Sequence, residues 1–152
     1  MNINIPSSLK LEHEELHNQL ANATRIGGKV AEAAKLVAKT LHPHFLAEEE
    51  FAIPPLGLLN ELIEGRVEEE MKEVLKMTDR LKAELPKMLE EHKAIVSALD
   101  NLVNVARAEG KPEYAAFAEK LKLHAKTEEE VTYPTALLMG KYLKLKFNQK
   151  IN

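Results

Sequence analysis

The chain has 152 residues and a formal net charge of −3, and hydrophobic and charged residues make up 45% and 30% of it. This length suits one domain with its own core, and the absence of a basic face argues against nucleic-acid binding. There are no cysteines, which excludes disulfides and thiolate metal ligands and suits a reducing compartment. No apolar run approaches the roughly 18 residues that span a membrane. With no signal-peptide pattern at the start of the sequence, we expect a cytoplasmic protein without a membrane partner.

The first half of the sequence predicts two long helices. Ser7 or Ser8 can cap the first helix, which should end near residue 26, before Gly27 and Gly28. The second helix should cover about residues 29–53 and stop at two prolines. Pro43 lies inside it and should kink it. A short helical turn is expected at residues 56–63.

The second half predicts two more long helices and a tail. An amphipathic stretch at residues 67–85 leads to Pro86, where we expect a bend or a new start. The third core helix continues to about residue 109. Pro112 suits the start of the fourth helix, which should end near residue 132, before a short basic tail helix at about 135–147. Short turns make neighbouring helices antiparallel. The prediction is therefore an all-α, up-down-up-down four-helix bundle with a short C-terminal helix, in one domain covering 1–152.

A pattern of histidine and glutamate occurs twice in the chain. A lone histidine, His13, has a counterpart 79 residues later in His92. A His-x-x-x-Glu motif at residues 44–48 has a counterpart 80 residues later at residues 124–128. A repeat this long indicates two related pairs of helices rather than a solenoid. We place the two halves at about residues 8–55 and 87–135.

Helical geometry predicts which of these side chains face the core. At about 100° per residue, each of the four histidines lies at the centre of an apolar stripe. Glu48 lies about 40° from His44 and should face inward, whereas Glu49 at about 140° and Glu50 at about 120° should point sideways or outward. The same angles hold for residues 128–130 around His124. This assignment assumes a regular helix, since a π-helical bulge would rotate the next residue inward.

Four buried imidazoles and two buried carboxylates indicate a metal site. A desolvated carboxylate costs several kcal/mol unless a partner compensates it. Imidazole nitrogen with carboxylate oxygen and no sulfur suits iron, manganese or zinc. The ligand set exceeds what one ion usually takes, and carboxylates from opposite halves can each bridge two ions. The pattern therefore predicts a dinuclear centre.

This pattern resembles that of the hemerythrin-like (HHE cation-binding) domain family over about residues 13–134. In that family, each half of a four-helix bundle contributes a lone histidine and a His-x-x-x-Glu motif to a non-haem di-iron site. The resemblance implies a cofactor of two iron ions with bridging carboxylates and an oxo or hydroxo bridge. The metal ligands that it implies are His13, His44, His92 and His124, each terminal, with Glu48 and Glu128 as bridges.

The chain departs from the oxygen-carrying members of that family at one ligand position. Those members have a His-x-x-x-His motif on the third helix, but here Met88 and Val96 occupy the positions four residues before and after His92. A His-x-x-x-His spacing occurs instead between His13 and His17. His17 is therefore a candidate additional ligand. Alternatively, the fifth position holds water or stays open, which would favour reactivity over reversible oxygen carriage.

The resemblance implies binding of dioxygen or a related small ligand, such as peroxide or nitric oxide, in oxygen, redox or iron handling. Whether the protein is a carrier, a sensor, a peroxidase-like or nitric-oxide-handling enzyme, or an iron storage or donation protein stays open at this stage. The sequence identifies no electron donor and no protein partner.

Overall fold

The computed structural model describes residues 3–151, so Met1, Asn2 and Asn152 of the predicted domain lie outside the described residues. The described part is helical and contains no strand. Its α-helices are α1 (Ser7–Arg25), α2 (Gly28–Ala47), α3 (Leu59–Ile63), α4 (Lys72–Ala108), α5 (Pro112–Thr127) and α6 (Tyr133–Ile151). Two π-helical turns follow α2 and α5, at Glu48–Ala52 and Glu128–Thr132, and two 3₁₀ turns lie at Pro54–Leu58 and Glu69–Met71.

Helices α1, α2, α4 and α5 form an antiparallel four-helix bundle, which confirms the predicted fold class. Helix α2 packs between α1 and α4, while α5 packs against α4 and closes the bundle against α1. The reversal between α1 and α2 uses Gly27 and Gly28, whose φ angles of 78° and 71° are open to glycine at little cost. The short connection leaves α1 and α2 side by side and antiparallel.

Two prolines lie inside helices that continue through them. Helix α2 contains Pro43 and α4 contains Pro86. Of the bend or new start predicted at Pro86, the new start is wrong, because α4 continues through Pro86 as a single helix of 37 residues. A proline in a helix interior costs about 3 kcal/mol. Burial of Leu81 and Met88 on either side of Pro86 offsets that cost by holding both parts of α4 in the core.

Helix α6 begins earlier and is longer than the predicted tail. It starts at Tyr133, directly after the second π-helical turn, and packs against the first half of α4. Its buried face includes Met139, Leu143 and Phe147. At Gly140 the two helices approach so closely that an added Cβ atom would lie 2.7 Å from Cβ of Thr78. The tail therefore docks onto the bundle and extends its core.

The core consists of two apolar clusters. The first lies among α1, α2, α4 and α5 and includes Leu16, Leu41 and Leu99. The second lies among α4, α6 and the turns after α2, and includes Phe51 and Met88. In each of the four bundle helices, the predicted metal-binding histidine lies near the boundary between the two clusters. This position puts the four histidines in one layer of the bundle.

Candidate metal centre

The structure brings together all six side chains that the sequence predicts as metal ligands. Each histidine comes from a different bundle helix, and each glutamate is the first residue of a π-helical turn. Glu48 is 0% exposed and Glu128 is 3% exposed, so both carboxylates face the core as predicted. The buried polar side chains of this layer are His13, His44, Glu48, His92, His124 and Glu128.

These side chains form two groups of atoms, each of which could hold a metal ion. The first ligand group comprises His44, Glu48, His92 and Glu128. The second ligand group comprises His13, His124 and again Glu128. Within each group, the candidate ligand atoms lie within 4.8 Å of one another. Since Glu128 belongs to both groups, the two positions adjoin.

The π-helical turns position two consecutive carboxylates at once. In the first turn, the backbone N–H of Ile53 donates to the carbonyl oxygen of Glu48 over 2.9 Å, five residues back. Glu48 points into the core, while the next residue, Glu49, reaches Nδ1 of His13 at 3.3 Å. Regular helical geometry predicted that Glu49 points away. Its side chain is 44% exposed, yet its carboxylate contacts a buried histidine.

Each of the four buried histidines has a carboxylate partner at Nδ1. His13 pairs with Glu49 and His92 with Glu129, at 3.3 and 3.0 Å, within the same half of the chain. The other two partners come from the opposite half. His44 Nδ1 lies 3.1 Å from Glu91, and His124 Nδ1 contacts Glu12. These four glutamates, here called the orienting glutamates, were not predicted from the sequence.

These contacts fix the proton on each imidazole ring. A carboxylate can only accept a hydrogen bond, so each Nδ1 carries the proton and donates it. The other nitrogen, Nε2, then presents a bare lone pair to the centre of the bundle. The Nε2 atoms of His44 and His92 lie only 2.8 Å apart. Two lone pairs at that distance repel each other unless a cation lies between them.

Other polar atoms in this layer have no hydrogen bond. A buried polar atom without a partner costs about 1–3 kcal/mol, and more if it is charged. Among the described residues, the unpartnered buried atoms of the layer are Nε2 of His13, Nε2 of His124, both carboxylate oxygens of Glu48, and Oε2 of Glu128. All of them belong to the two ligand groups. Metal ions would satisfy them together, so the residues present fit a metal centre.

Burial favours the neutral imidazole form that binds metal. Burial lowers the pKa of His92, and the nearby charge of His44 lowers it further. Burial likewise lowers the pKa of His124. Burial also acts to lower the pKa of His44, but the nearby carboxylates of Glu48 and Glu91 outweigh that effect and raise the pKa. Without metal, His44 therefore holds a proton more readily than His92 or His124.

Comparison with known protein families agrees with this geometry. The family model of the hemerythrin HHE cation binding domain matches residues 4–136 of the chain. The chain belongs to this hemerythrin family. Neither curated proteins nor solved structures gave a match to the chain. Membership implies a metal cation site with histidine and glutamate ligands, and the structure supplies such residues in the bundle core.

Tyr133 also reaches the first ligand group of this hemerythrin domain. Its side chain is 1% exposed, and its hydroxyl oxygen lies 3.3 Å from Nε2 of His44 and 3.2 Å from Nε2 of His92. Burial raises the pKa of the Tyr133 phenol, and the negative charge of Glu48 adds to that effect. The repeat in the sequence could have drawn attention to this residue. The position that corresponds to Tyr133 in the first half is Ile53, so a hydroxyl is present in one half only.

His17 lies outside both ligand groups. It is exposed, and its ring centroid lies 5.8 Å from that of His42 on α2. Both histidines line a surface cleft of about 440 Å³ between α1 and α2, and His13 and Glu49 form part of its wall. The cleft reaches the second ligand group from outside. Within residues 3–151, none of the helices is long and apolar enough to cross a membrane.

Proposed function

We propose that this hemerythrin domain is a cytoplasmic non-haem di-iron protein that binds dioxygen or a related small ligand such as peroxide or nitric oxide. The observation that carries the proposal is the sharing of Glu128 by two groups of candidate ligands. A carboxylate between two adjoining positions can bridge two ions. In this proposal Glu48 is the second bridge, because neither of its buried oxygens has a hydrogen bond.

The donor chemistry supports iron. Six nitrogen and oxygen side chains without sulfur suit iron, manganese or zinc. Among these, the resemblance of the ligand pattern to the di-iron site of hemerythrin-like domains favours iron. The four histidines would be terminal ligands, each held by its outer carboxylate. Such outer contacts fix the orientation of a ligand histidine and raise its basicity. A reducing cytoplasm would keep iron ferrous during loading.

The chain keeps the site dry and oriented. The ring of Phe45 stacks on His13 with a centroid distance of 4.2 Å, and its centroid lies 5.8 Å from that of His124. Phe51 and Met88 pack on the other side of the histidine layer and are each 1% exposed. These apolar residues exclude bulk water. Iron, when bound, would supply the redox electrons and an open coordination position.

The test is anaerobic loading with ferrous iron, followed by elemental analysis and spectra on admission of air. We expect about two iron ions per chain, because two buried carboxylates and four imidazoles exceed the ligand set of one ion. The matched control is Glu130→Ala, a substitution at an exposed position, which should bind as much iron per chain as wild type. One ion or none per folded wild-type chain would overturn the proposal.

The same experiment separates carriage from the other functions that the resemblance allows. A stable spectrum that reverses when oxygen is removed indicates carriage. Rapid one-way oxidation, with turnover of peroxide or nitric oxide, indicates an enzyme. Accumulation of iron beyond the dinuclear complement, or its release to a chelating acceptor, indicates storage or donation.

A further inference from the structure

The two ligand groups differ in the side chains that lie against them. Across the repeat, Phe45 corresponds to Ala125, and Tyr133 corresponds to Ile53. Phe45 therefore covers the second ligand group with an apolar ring, and Ala125 provides no such ring for the first. Conversely, Tyr133 presents a hydroxyl to the first ligand group, whereas Ile53 is a buried apolar residue. The duplicated site is thus chemically asymmetric.

The distances around Tyr133 match those between neighbouring ligands of one metal ion. Donor atoms that bind an ion at 2.0–2.2 Å and lie at right angles are about 3 Å apart. The hydroxyl oxygen of Tyr133 lies 3.2 and 3.3 Å from the Nε2 atoms of His92 and His44. Those two nitrogens are 2.8 Å apart, and His44 Nε2 is 3.0 Å from a carboxylate oxygen of Glu48. Spacings of this size are those expected of ligands around one common point.

Hydrogen bonding alone leaves part of this arrangement unexplained. A phenol has one hydrogen to donate, so Tyr133 can satisfy one of the two bare Nε2 lone pairs. With both imidazoles neutral, as metal binding requires, the other nitrogen would remain buried beside it without a donor. A cation at the common point would satisfy both nitrogens and the oxygens together.

We propose that the phenolic oxygen of Tyr133 is a ligand of the metal ion in the first ligand group, which makes the two iron positions inequivalent. The inference rests on the proposed iron centre and names a ligand beyond the six hemerythrin-type residues. Tyrosine oxygen is an established ligand of iron in proteins. The phenolic proton is lost to solvent as the ion binds, because the charge of a bound metal outweighs the burial that otherwise keeps the phenol protonated.

This ligand also determines where a small molecule binds. With Tyr133 added, the first position has two imidazoles, a phenolate and carboxylates. The second position has His13, His124 and carboxylates, without the phenolate. The second position is therefore the one with room for an exogenous ligand, and it adjoins the cleft between α1 and α2.

The sequence offers a clean spectroscopic test because it has three tyrosines, at positions 114, 133 and 142. The proteins to compare are wild type, Tyr133→Phe, and the control Tyr114→Phe/Tyr142→Phe, in which Tyr133 is the remaining tyrosine. Each is loaded anaerobically with iron, oxidised, and measured for iron content, visible absorption and resonance Raman scattering. We expect a phenolate-to-iron charge-transfer band in wild type and in the double variant, and its loss in Tyr133→Phe with both irons retained.

The outcomes separate this inference from the proposed function. Two irons per chain with identical spectra in wild type and Tyr133→Phe would overturn the tyrosine ligand and leave the di-iron proposal standing. Failure of all three folded proteins to bind iron would overturn both. If Tyr133→Phe does not fold, the double variant decides, since an iron-loaded double variant without a phenolate band contradicts the assignment.

Discussion

At the scale of the residue, the glutamates of each half serve in three different ways. Glu48 and Glu128 are buried and have carboxylate oxygens without a hydrogen bond, so they are the candidates for bridging two ions. Exposed residues such as Glu130, whose nearest cation is Lys126 at 3.8 Å, contact no histidine of the centre. Between these two kinds lie the orienting carboxylates, which reach from the surface to the Nδ1 atoms: Glu12, Glu49, Glu91 and Glu129.

Removing a buried carboxylate should abolish the dinuclear centre. In Glu128→Ala, both ligand groups lose their shared member, so we expect no stoichiometric binding of two irons. The measurement is iron content after anaerobic loading, with Glu130→Ala as the exposed control two residues along. Retention of both irons in folded Glu128→Ala would refute the bridging assignment.

Removing an orienting carboxylate should weaken the site without destroying it. Glu129→Ala frees the ring of His92 and lowers its basicity, and loss of such a contact typically costs about 10–100-fold in metal affinity. Competition against a chelator of known affinity measures the change, again beside Glu130→Ala. Equal affinities in the two variants would show that the contact with His92 contributes nothing.

The sequence predicted the buried glutamates but could not predict the orienting ones. Helical angles correctly separated Glu48 from its neighbours, because the angle between Glu48 and His44 lies in the α-helix that precedes the turn. The π-helical turn begins at Glu48, and Glu49 is exposed, yet its carboxylate reaches His13 on a neighbouring helix, which angles within one helix cannot show. No local residue pattern distinguished this turn from regular helix.

At the scale of the element, α6 depends on one close contact with α4. Gly140 lies against Thr78, which is itself buried at 3% exposure. The absence of a side chain at residue 140 lets the two helices approach, so Met139 and Leu143 enter the core. Tyr133 begins the same helix, so docking of α6 also holds the phenol beside the histidines.

Adding one methyl group at this contact should destabilise the protein. In Gly140→Ala, the added Cβ atom would lie 2.7 Å from Cβ of Thr78. Overpacking costs about 1–3 kcal/mol, which exceeds the roughly 1 kcal/mol that alanine adds to helix stability. We expect the thermal midpoint, followed by circular dichroism, to fall by several degrees. Lys141→Ala, at an exposed position of the same helix, should leave it nearly unchanged.

At the scale of the whole molecule, the histidine layer works against folding until metal binds. It buries two carboxylates and several bare nitrogen atoms at the centre of the bundle. The apolar clusters above and below provide the hydrophobic energy that keeps the bundle closed. The apolar stripes in the sequence therefore sufficed to predict the bundle, whereas the contribution of Tyr133 depends on packing between α6 and α4 that no local pattern shows.

Metal should stabilise the folded state. A ligand that binds only the native protein at 100 times its Kd adds about 2.7 kcal/mol, which corresponds to roughly 5–10 °C in a protein of this size. Thermal unfolding with and without a chelator measures the difference in wild type. In Glu128→Ala the chelator should have no effect. Equal midpoints in wild type, once metal removal is verified, would contradict this expectation.

The cross-pairing of histidines and orienting glutamates has a consequence for symmetry. His44 takes its carboxylate from Glu91, and the corresponding residue of the other half, His124, takes its carboxylate from Glu12. The same contact is therefore made twice, once in each direction between the halves. An interface with this property is called isologous and is typical of a two-fold symmetric dimer. The two halves of this chain meet as two identical subunits would, and the covalent link between them includes α3 and the first part of α4. Each half leaves one of its two histidines unoriented, and the other half supplies the carboxylate that orients it.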